Sequence, residues 1–228
     1  MSANVRISKN PLTKHFLTLM RDRGCPGGQF RFYLNRIAYN LTYEMFSDPV
    51  VGFPHVIDVE GQTPLNNRKQ GRFQGKFIES EKIALFSVMR SGMSMGSTMH
   101  EFLPSAVIGH AGFDRDKGYK KIYDALPKEL DDHFVILYDS DIVTGRSVLA
   151  FLDLIAKKYR SFDFSRLVLV TVVVSKPASE KLGSRYPGLQ IYCAAQDEKI
   201  TPDEQHCIPG LGNIKQRIFG PYSIDFED

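Results

Sequence analysis

Phe134 to Tyr159 reads FVILYDSDIVTGRSVLAFLDLIAKKY. An apolar run of strand length ends at Asp139, gives way to a turn of hydroxyls and glycine, and resumes with helical spacing. Val148, Leu149, Leu152, Ile155 and Ala156 fall on one face of that helix, and Lys157, Lys158 and Arg160 gather at its end, where the helix dipole favours cations. The stretch is therefore strand, loop and helix, with the loop at the carboxyl end of a buried strand and the positive end of a helix. Open α/β sheets bind phosphorylated ligands at such places. The N–H groups of Thr144, Gly145 and Arg146 and the hydroxyls of Thr144 and Ser147 suit a terminal phosphate, while Asp139 and Asp141 suit a sugar's hydroxyls or its magnesium. A phosphorylated sugar fits both. The plainer reading of the same residues is a loop whose Ser or Thr caps a helix.

Outward from this unit, apolar runs at Ile83–Val88, Ala106–Ala111, Leu167–Val174 and Leu189–Ala194 alternate mostly with helix-compatible stretches, as buried parallel strands with crossovers require. The expected fold is α/β, a doubly wound, mostly parallel sheet of about five strands. Two neighbouring runs end in arginines: the first leads into Arg90, Ser91 and Gly92, and the second into Asp114, Arg115 and Asp116. Such guanidinium groups can clamp a diphosphate through forked hydrogen bonds, although singly each reads as a surface ion pair.

Before the sheet, Leu12, Phe16, Leu19 and Met20 repeat at helical intervals behind Pro11, and Phe30, Leu34, Ile37, Leu41 and Met45 do so between Gln29 and Ser47. Asp48 to Lys82 is punctuated by Pro, Gly and Asn and carries Arg68, Lys69, Arg72 and Lys76, which predicts a β-hairpin flap. After the last strand, QDEKITPDEQHCIPGLGNIKQRIFG demands tight turns at Pro209, Gly210 and Gly212 and leaves backbone amides open to a planar heterocycle. The layout expected for residues 1–228 is one domain: N-terminal helices over 11–48, flap 49–82, core sheet 83–195 and a base-binding tail 196–228.

Composition narrows the classes. With 29 basic and 26 acidic residues the formal charge is +3, too balanced to argue for nucleic-acid binding. Cys25, Cys193 and Cys207 are too widely spaced for a disulfide framework or a zinc site, which points to a reducing, cytoplasmic setting. His15, His55, His100, His110 and His133 lack ligand spacing, and no Walker-type glycine loop is present, against a kinase. Neither a signal core nor an apolar run of about 18 to 20 residues suggests a membrane.

Several ordered motifs then point one way: NPLTKHFLTLMRD and LTYE near the start, the Arg90-Ser91-Gly92-Met93 turn, DRD after a strand, DSDIVTGRS, and IPGLGNIKQRIFG. Together they resemble the uracil phosphoribosyltransferase family over nearly the whole chain. The resemblance implies the type I phosphoribosyltransferase fold and transfer of phosphoribose from 5-phosphoribosyl 1-diphosphate (PRPP) to N1 of uracil, giving UMP and diphosphate with Mg²⁺. It implies PRPP binding by Arg90, Arg115, Asp139, Ser140, Asp141, Ile142, Val143, Thr144, Gly145, Arg146 and Ser147, and by Asn213 in the place of a family carboxylate. Asp139, Asp141 and Arg115 take the catalytic roles, Asp139 and Asp141 the metal, and Cys207, Ile208, Gly212, Asn213 and Ile214 the uracil. A homodimer or higher oligomer and a GTP effector also follow from the resemblance.

The chain departs from the family pattern at defined places. The usual D-P-M-L-A-T-G-G-S becomes a loop with Ser140, Asp141, Val143 and Arg146, the last in place of the second glycine. Ser91 stands for alanine and His206 for an aromatic, and Asn213, Ile214 and Lys215 replace an aspartate and small residues. A relative that binds a nucleotide, PRPP or a protein without turnover is thus the second reading, and a phosphate-sensing module around Asp139 the third.

Overall fold

Residues 3–65 and 71–220 are described by the structure, a computed structural model. The chain begins with a short strand, β1 (Asn4–Ile7), and the side chain of Asn10 then accepts a hydrogen bond from the Leu12 N–H to start α1 (Pro11–Arg21). The buried face of α1 is Thr13, Leu17 and Met20, not the face led by Leu12, which is 58% exposed. Helix α2 (Gly27–Ser47) buries Phe30, Leu34, Ile37, Leu41 and Met45 as its spacing predicts. The flap is the antiparallel hairpin of β2 (Val56–Gln62) and β3 (Arg72–Ile78), in register from Val56 opposite Ile78 to Gln62 opposite Arg72. Arg68 and Lys69 lie outside the described residues.

The core follows as β4 (Ile83–Val88), α3 (Gly92–His100), β5 (Val107–Asp114), β6 (Lys120–Ala125), β7 (Phe134–Tyr138), β8 (Asp141–Ile142), α4 (Arg146–Lys158), β9 (Leu167–Ser175), α5 (Lys176–Arg185) and β10 (Gln190–Asp197). A small hairpin of β11 (Lys199–Ile200) and β12 (Cys207–Ile208) and a short helix, α6 (Ile214–Phe219), complete it. The main sheet runs β1-β10-β9-β7-β4-β5-β6, with β8 beside β9, and every pairing is parallel except β5 with β6. The five expected strands are all present. The sheet adds β1, β6 and β8, whose sequences NVRI, KKIYDA and DI are too short or too polar to read as buried strands alone.

Two apolar layers sandwich the sheet because consecutive strand residues point to opposite faces. Ile83, Leu85, Ile136, Tyr138, Val168 and Val170 pack with α1, α2, α3 and α6. On the other side Ala84, Phe86, Val135, Leu137 and Leu169 pack with α4 and α5. In α4 the buried face is Val148, Phe151, Leu152 and Ile155, with Leu149 partly buried against it; Ala156, expected on that face, is exposed. Among the described residues no helix is long and apolar enough to cross a membrane.

Candidate functional site

Strands β7, β4 and β5 are neighbours and parallel, so their carboxyl ends open on one edge of the sheet. The three segments that follow them carry Asp139 to Ser147, Arg90 to Gly92, and Asp114 to Tyr119. Ordinary parallel pairing thus brings together residues some 25 to 50 positions apart in sequence.

The loop after β7 is more ordered than its composition suggests. Asp141 and Ile142 form β8 and pair with Val173 and Val174, the carbonyl of Val143 accepts the Ser175 hydroxyl at 2.6 Å, and Ser140 is fully buried. Gly145 then takes φ +71°, a left-handed conformation that favours glycine, while a Cβ on it would meet Ala178 and Leu182 only at ordinary contact distance. Gly145, at the N-cap of α4, has no side chain to cap it; the Arg146 N–H donates to the Thr144 hydroxyl at 3.4 Å, a long contact, at the start of the helix. The space enclosed by this loop, together with Arg115, Tyr119 and Glu204, is about 30 Å³. Arg146 spans its mouth in an ion pair with Glu204 at 3.0 Å, both side chains half-exposed.

Asp139 is buried, and its Oδ1 accepts from the Ser91 hydroxyl and the Ser140 N–H, each at 2.9 Å. Gly92 makes the first contact possible, because a Cβ there would run into the carbonyl oxygen of Tyr138. Burial, then the neighbouring charge of Asp141, pushes the Asp139 carboxyl up to about 7; the Ser91 hydrogen bond and Arg115 oppose the rise. Asp141 is raised by burial and held back by Arg115, Lys215 and His206. Two carboxylates under this like-charge pressure suit a divalent cation, and Mg²⁺ commonly takes one or two protein carboxylates with the rest of its shell from substrate and water. Among the described residues no group of three or more His, Cys, Asp or Glu side chains gathers, here or elsewhere, so the protein's share of such a site is these two carboxylates.

Beside this loop lies a second cavity of about 380 Å³, lined by Met89, Arg90, Gly112, Phe113, Asp114, Arg115, Asp116, Ile122, Tyr123 and Lys215. Arg115 borders both cavities and joins them.

The tail is held from outside. Asp197, buried at the end of β10, accepts the Gly210 N–H at 2.8 Å and pairs with Arg21 at 2.6 Å. Gly210 has φ +65°, and a Cβ there would strike the carbonyl oxygen of Cys207. The Cys207 thiol is buried, donates to the Ile142 carbonyl at 3.8 Å and is pushed up to about 12 by burial, so it ties the tail to the loop instead of acting as a nucleophile. Ile208 is 43% exposed on β12; Gly212 and Asn213 are exposed, and the Asn213 side chain accepts from the Gln216 N–H at 3.2 Å to cap α6. Ile214 is buried in the core layer with Leu211 and Ile218.

Arg90, Arg115 and the run Asp139–Ser147 therefore share one edge, whereas Asn213 serves a helix and Ile214 the core. Sequence reading missed Glu204 and the Ser91 contact, and it gave Lys215 no role beyond standing in place of a small residue. Nothing local marks Lys215, since the packing of α6 places it.

Residues 7–221 match the family model described as uracil phosphoribosyltransferase. The uracil phosphoribosyltransferase of Pediococcus pentosaceus is 32% identical over 214 residues, 92% of this chain and 95% of that protein. That of Dictyoglomus turgidum is 31% identical over 219 residues, 95% of this chain and 99% of its own. A solved protein of Aquifex aeolicus shares the fold, with a TM-score of 0.80 at 20% identity over 95% of this chain and 98% of the other. With matches of this extent at both the family and the single-protein level, the chain belongs to the uracil phosphoribosyltransferase family.

Proposed function

We propose that the protein transfers the 5-phosphoribosyl group of PRPP to N1 of uracil, releasing diphosphate and UMP. The observation that carries this reading is the joining of a small polar loop, the carboxylates of buried Asp139 and partly buried Asp141, and a cavity with a net positive lining through one residue, Arg115. That spacing suits a ligand with a phosphate at one end, hydroxyls in the middle and a diphosphate at the other. In this reading the amides and hydroxyls of Thr144 to Ser147 hold the 5-phosphate, Asp139 and Asp141 face the ribose, and Arg90 and Arg115 take the diphosphate.

The bond from the anomeric carbon to the diphosphate oxygen breaks with its electron pair staying on the leaving group. Uracil N1 forms the new bond to that carbon and releases its proton. Charge stabilisation and positioning supply the rate, so no covalent nucleophile is required. Asp139 and Asp141 would hold Mg²⁺, which when bound adds neutralisation of the diphosphate. The tail from Cys207 to Ile214 offers the base main-chain groups.

One observation favours a second reading, ligand binding without turnover: Arg146 and Glu204 close a loop whose enclosed space is about 30 Å³. Their half-exposure makes the pair cheap to open, which favours the enzyme. Incubation with radiolabelled uracil, PRPP and Mg²⁺ separates the two. Labelled UMP is the expected product, and its absence from folded protein that still binds PRPP would establish the second reading.

A further inference from the structure

We propose that Lys215 is a third cation for the diphosphate leaving group, acting beside Arg90 and Arg115. The inference rests on the transferase reading above and extends it to a residue that the family motif places among small side chains. Lys215 borders the same 380 Å³ cavity as the two arginines. Its position is held firmly: Ile214 and Ile218 bury the inner side of α6, and Asn213 caps its start. Arg217 then clamps the helix, donating to the carbonyls of Met20 at 2.6 Å, Leu211 at 2.9 Å and Asp22 at 2.8 Å and lying 4.3 Å over the Phe30 ring.

Among the described residues none of Arg90, Arg115 and Lys215 forms an ion pair within 4.0 Å, whereas Arg146, Arg21 and Lys176 elsewhere each do. The Lys215 ammonium is pulled below its usual range by burial first, then by repulsion from Arg115 and Arg90, with Asp141 and Asp139 pulling the other way. Asp114 and Asp116 also line the cavity but form no ion pair with Arg90, Arg115 or Lys215 within 4.0 Å, so the lining keeps one formal positive charge in excess, which an entering anion offsets. A diphosphate carries several negative charges on adjacent phosphoryl groups, which suits three separate donors. Asn213 in place of a carboxylate and Lys215 in place of a small residue both shift this end of the site toward positive charge. The departing diphosphate is consequently neutralised in part by the chain itself.

The test is calorimetric titration of inorganic diphosphate, in EDTA, into the full-length wild type, Lys215→Met, Lys215→Gln, Lys215→Arg and Arg90→Met. The inference predicts about a tenfold loss of affinity in Lys215→Met and Lys215→Gln and near-recovery in Lys215→Arg, since a hydrogen-bonded charge is worth a factor of that order. In steady-state assays the KM for PRPP should rise while the KM for uracil holds. Lys215→Gln covers the case in which Lys215→Met does not fold. If wild type binds and Arg90→Met loses binding while both neutral Lys215 variants bind as wild type does, Lys215 has no such role and the transferase reading stands. If folded wild type fails to bind diphosphate both in EDTA and with Mg²⁺ added, the cavity is not a leaving-group site and both readings fall together.

Discussion

Between Tyr138 and Ser147 the chain is fixed largely by its own backbone, through β8 on β9 and the left-handed turn at Gly145, whereas from Asp197 to Phe219 it is fixed by side-chain contacts with distant segments. Arg21 and Asp197 anchor one end of the tail, and Arg217 on the carbonyls of Met20 and Asp22 anchors the other. The first kind of construction leaves outward-facing side chains free to change with little cost to the fold. The second makes the tail's geometry depend on a few polar contacts, so substitutions there act on stability and on the site together.

The sharpest way to break that contrast is Asp197→Ala. It leaves Arg21 without its partner and the Gly210 N–H without its acceptor, and loss of one member of a largely buried pair costs about 3 to 5 kcal/mol. Urea unfolding should register the loss, with diphosphate affinity falling in the protein that remains folded.

Asp139→Asn should act in the opposite direction on stability. The Asp139 carboxyl lies near 7 in the folded protein but in the ordinary range when unfolded, so between about pH 4 and pH 7 the unfolded chain gives up this proton first. Ionised Asp139 therefore costs stability as pH rises through that window, and the cost is complete above it. In EDTA the asparagine variant, whose side-chain oxygen can still accept from Ser91 and Ser140, should be more stable at pH 8 by roughly 2 to 4 kcal/mol. The advantage should vanish near pH 4. Equal melting temperatures at pH 8 would contradict the burial argument, and ribose chemistry should be lost in either case.

Arg217→Met comes next, at about 2 kcal/mol, because it removes hydrogen bonds to three carbonyls and the stacking on Phe30. Chemical denaturation measures it, and the KM for PRPP should rise as α6 loosens. Arg146→Gly should be the mildest for stability, under about 1 kcal/mol, since its ion pair with Glu204 is half-exposed. Its effect belongs to the loop: inorganic phosphate, titrated by calorimetry, should bind at least as well once the mouth is open. Weaker binding would mean that Arg146 itself holds the phosphate.

The same contrast explains what the amino-acid sequence revealed. β4, β7 and β9 are nearly continuous apolar runs, legible because both faces of the sheet are covered there, and β5 and β10 keep shorter apolar stretches. NVRI becomes β1 only because Gln190 to Cys193 pairs with it, a tertiary fact. The buried face of α1 was shifted because Thr13 is buried while Leu12 sits at the exposed start of the helix. At the site, Asp139 to Ser147 could be read because strand, turn and helix signals are local. Lys215 could not, since its place depends on Ile214, Ile218 and Arg217 packing against segments nearly two hundred residues away.

A crystal structure with PRPP bound in the presence of Mg²⁺ would test most directly whether the two cavities joined at Arg115 form one substrate site. The 5-phosphate is expected against the amides of Thr144 to Ser147, the ribose beside Asp139 and Asp141, and the diphosphate among Arg90, Arg115 and Lys215. PRPP lying elsewhere, or with its diphosphate turned away from those cations, would contradict the account.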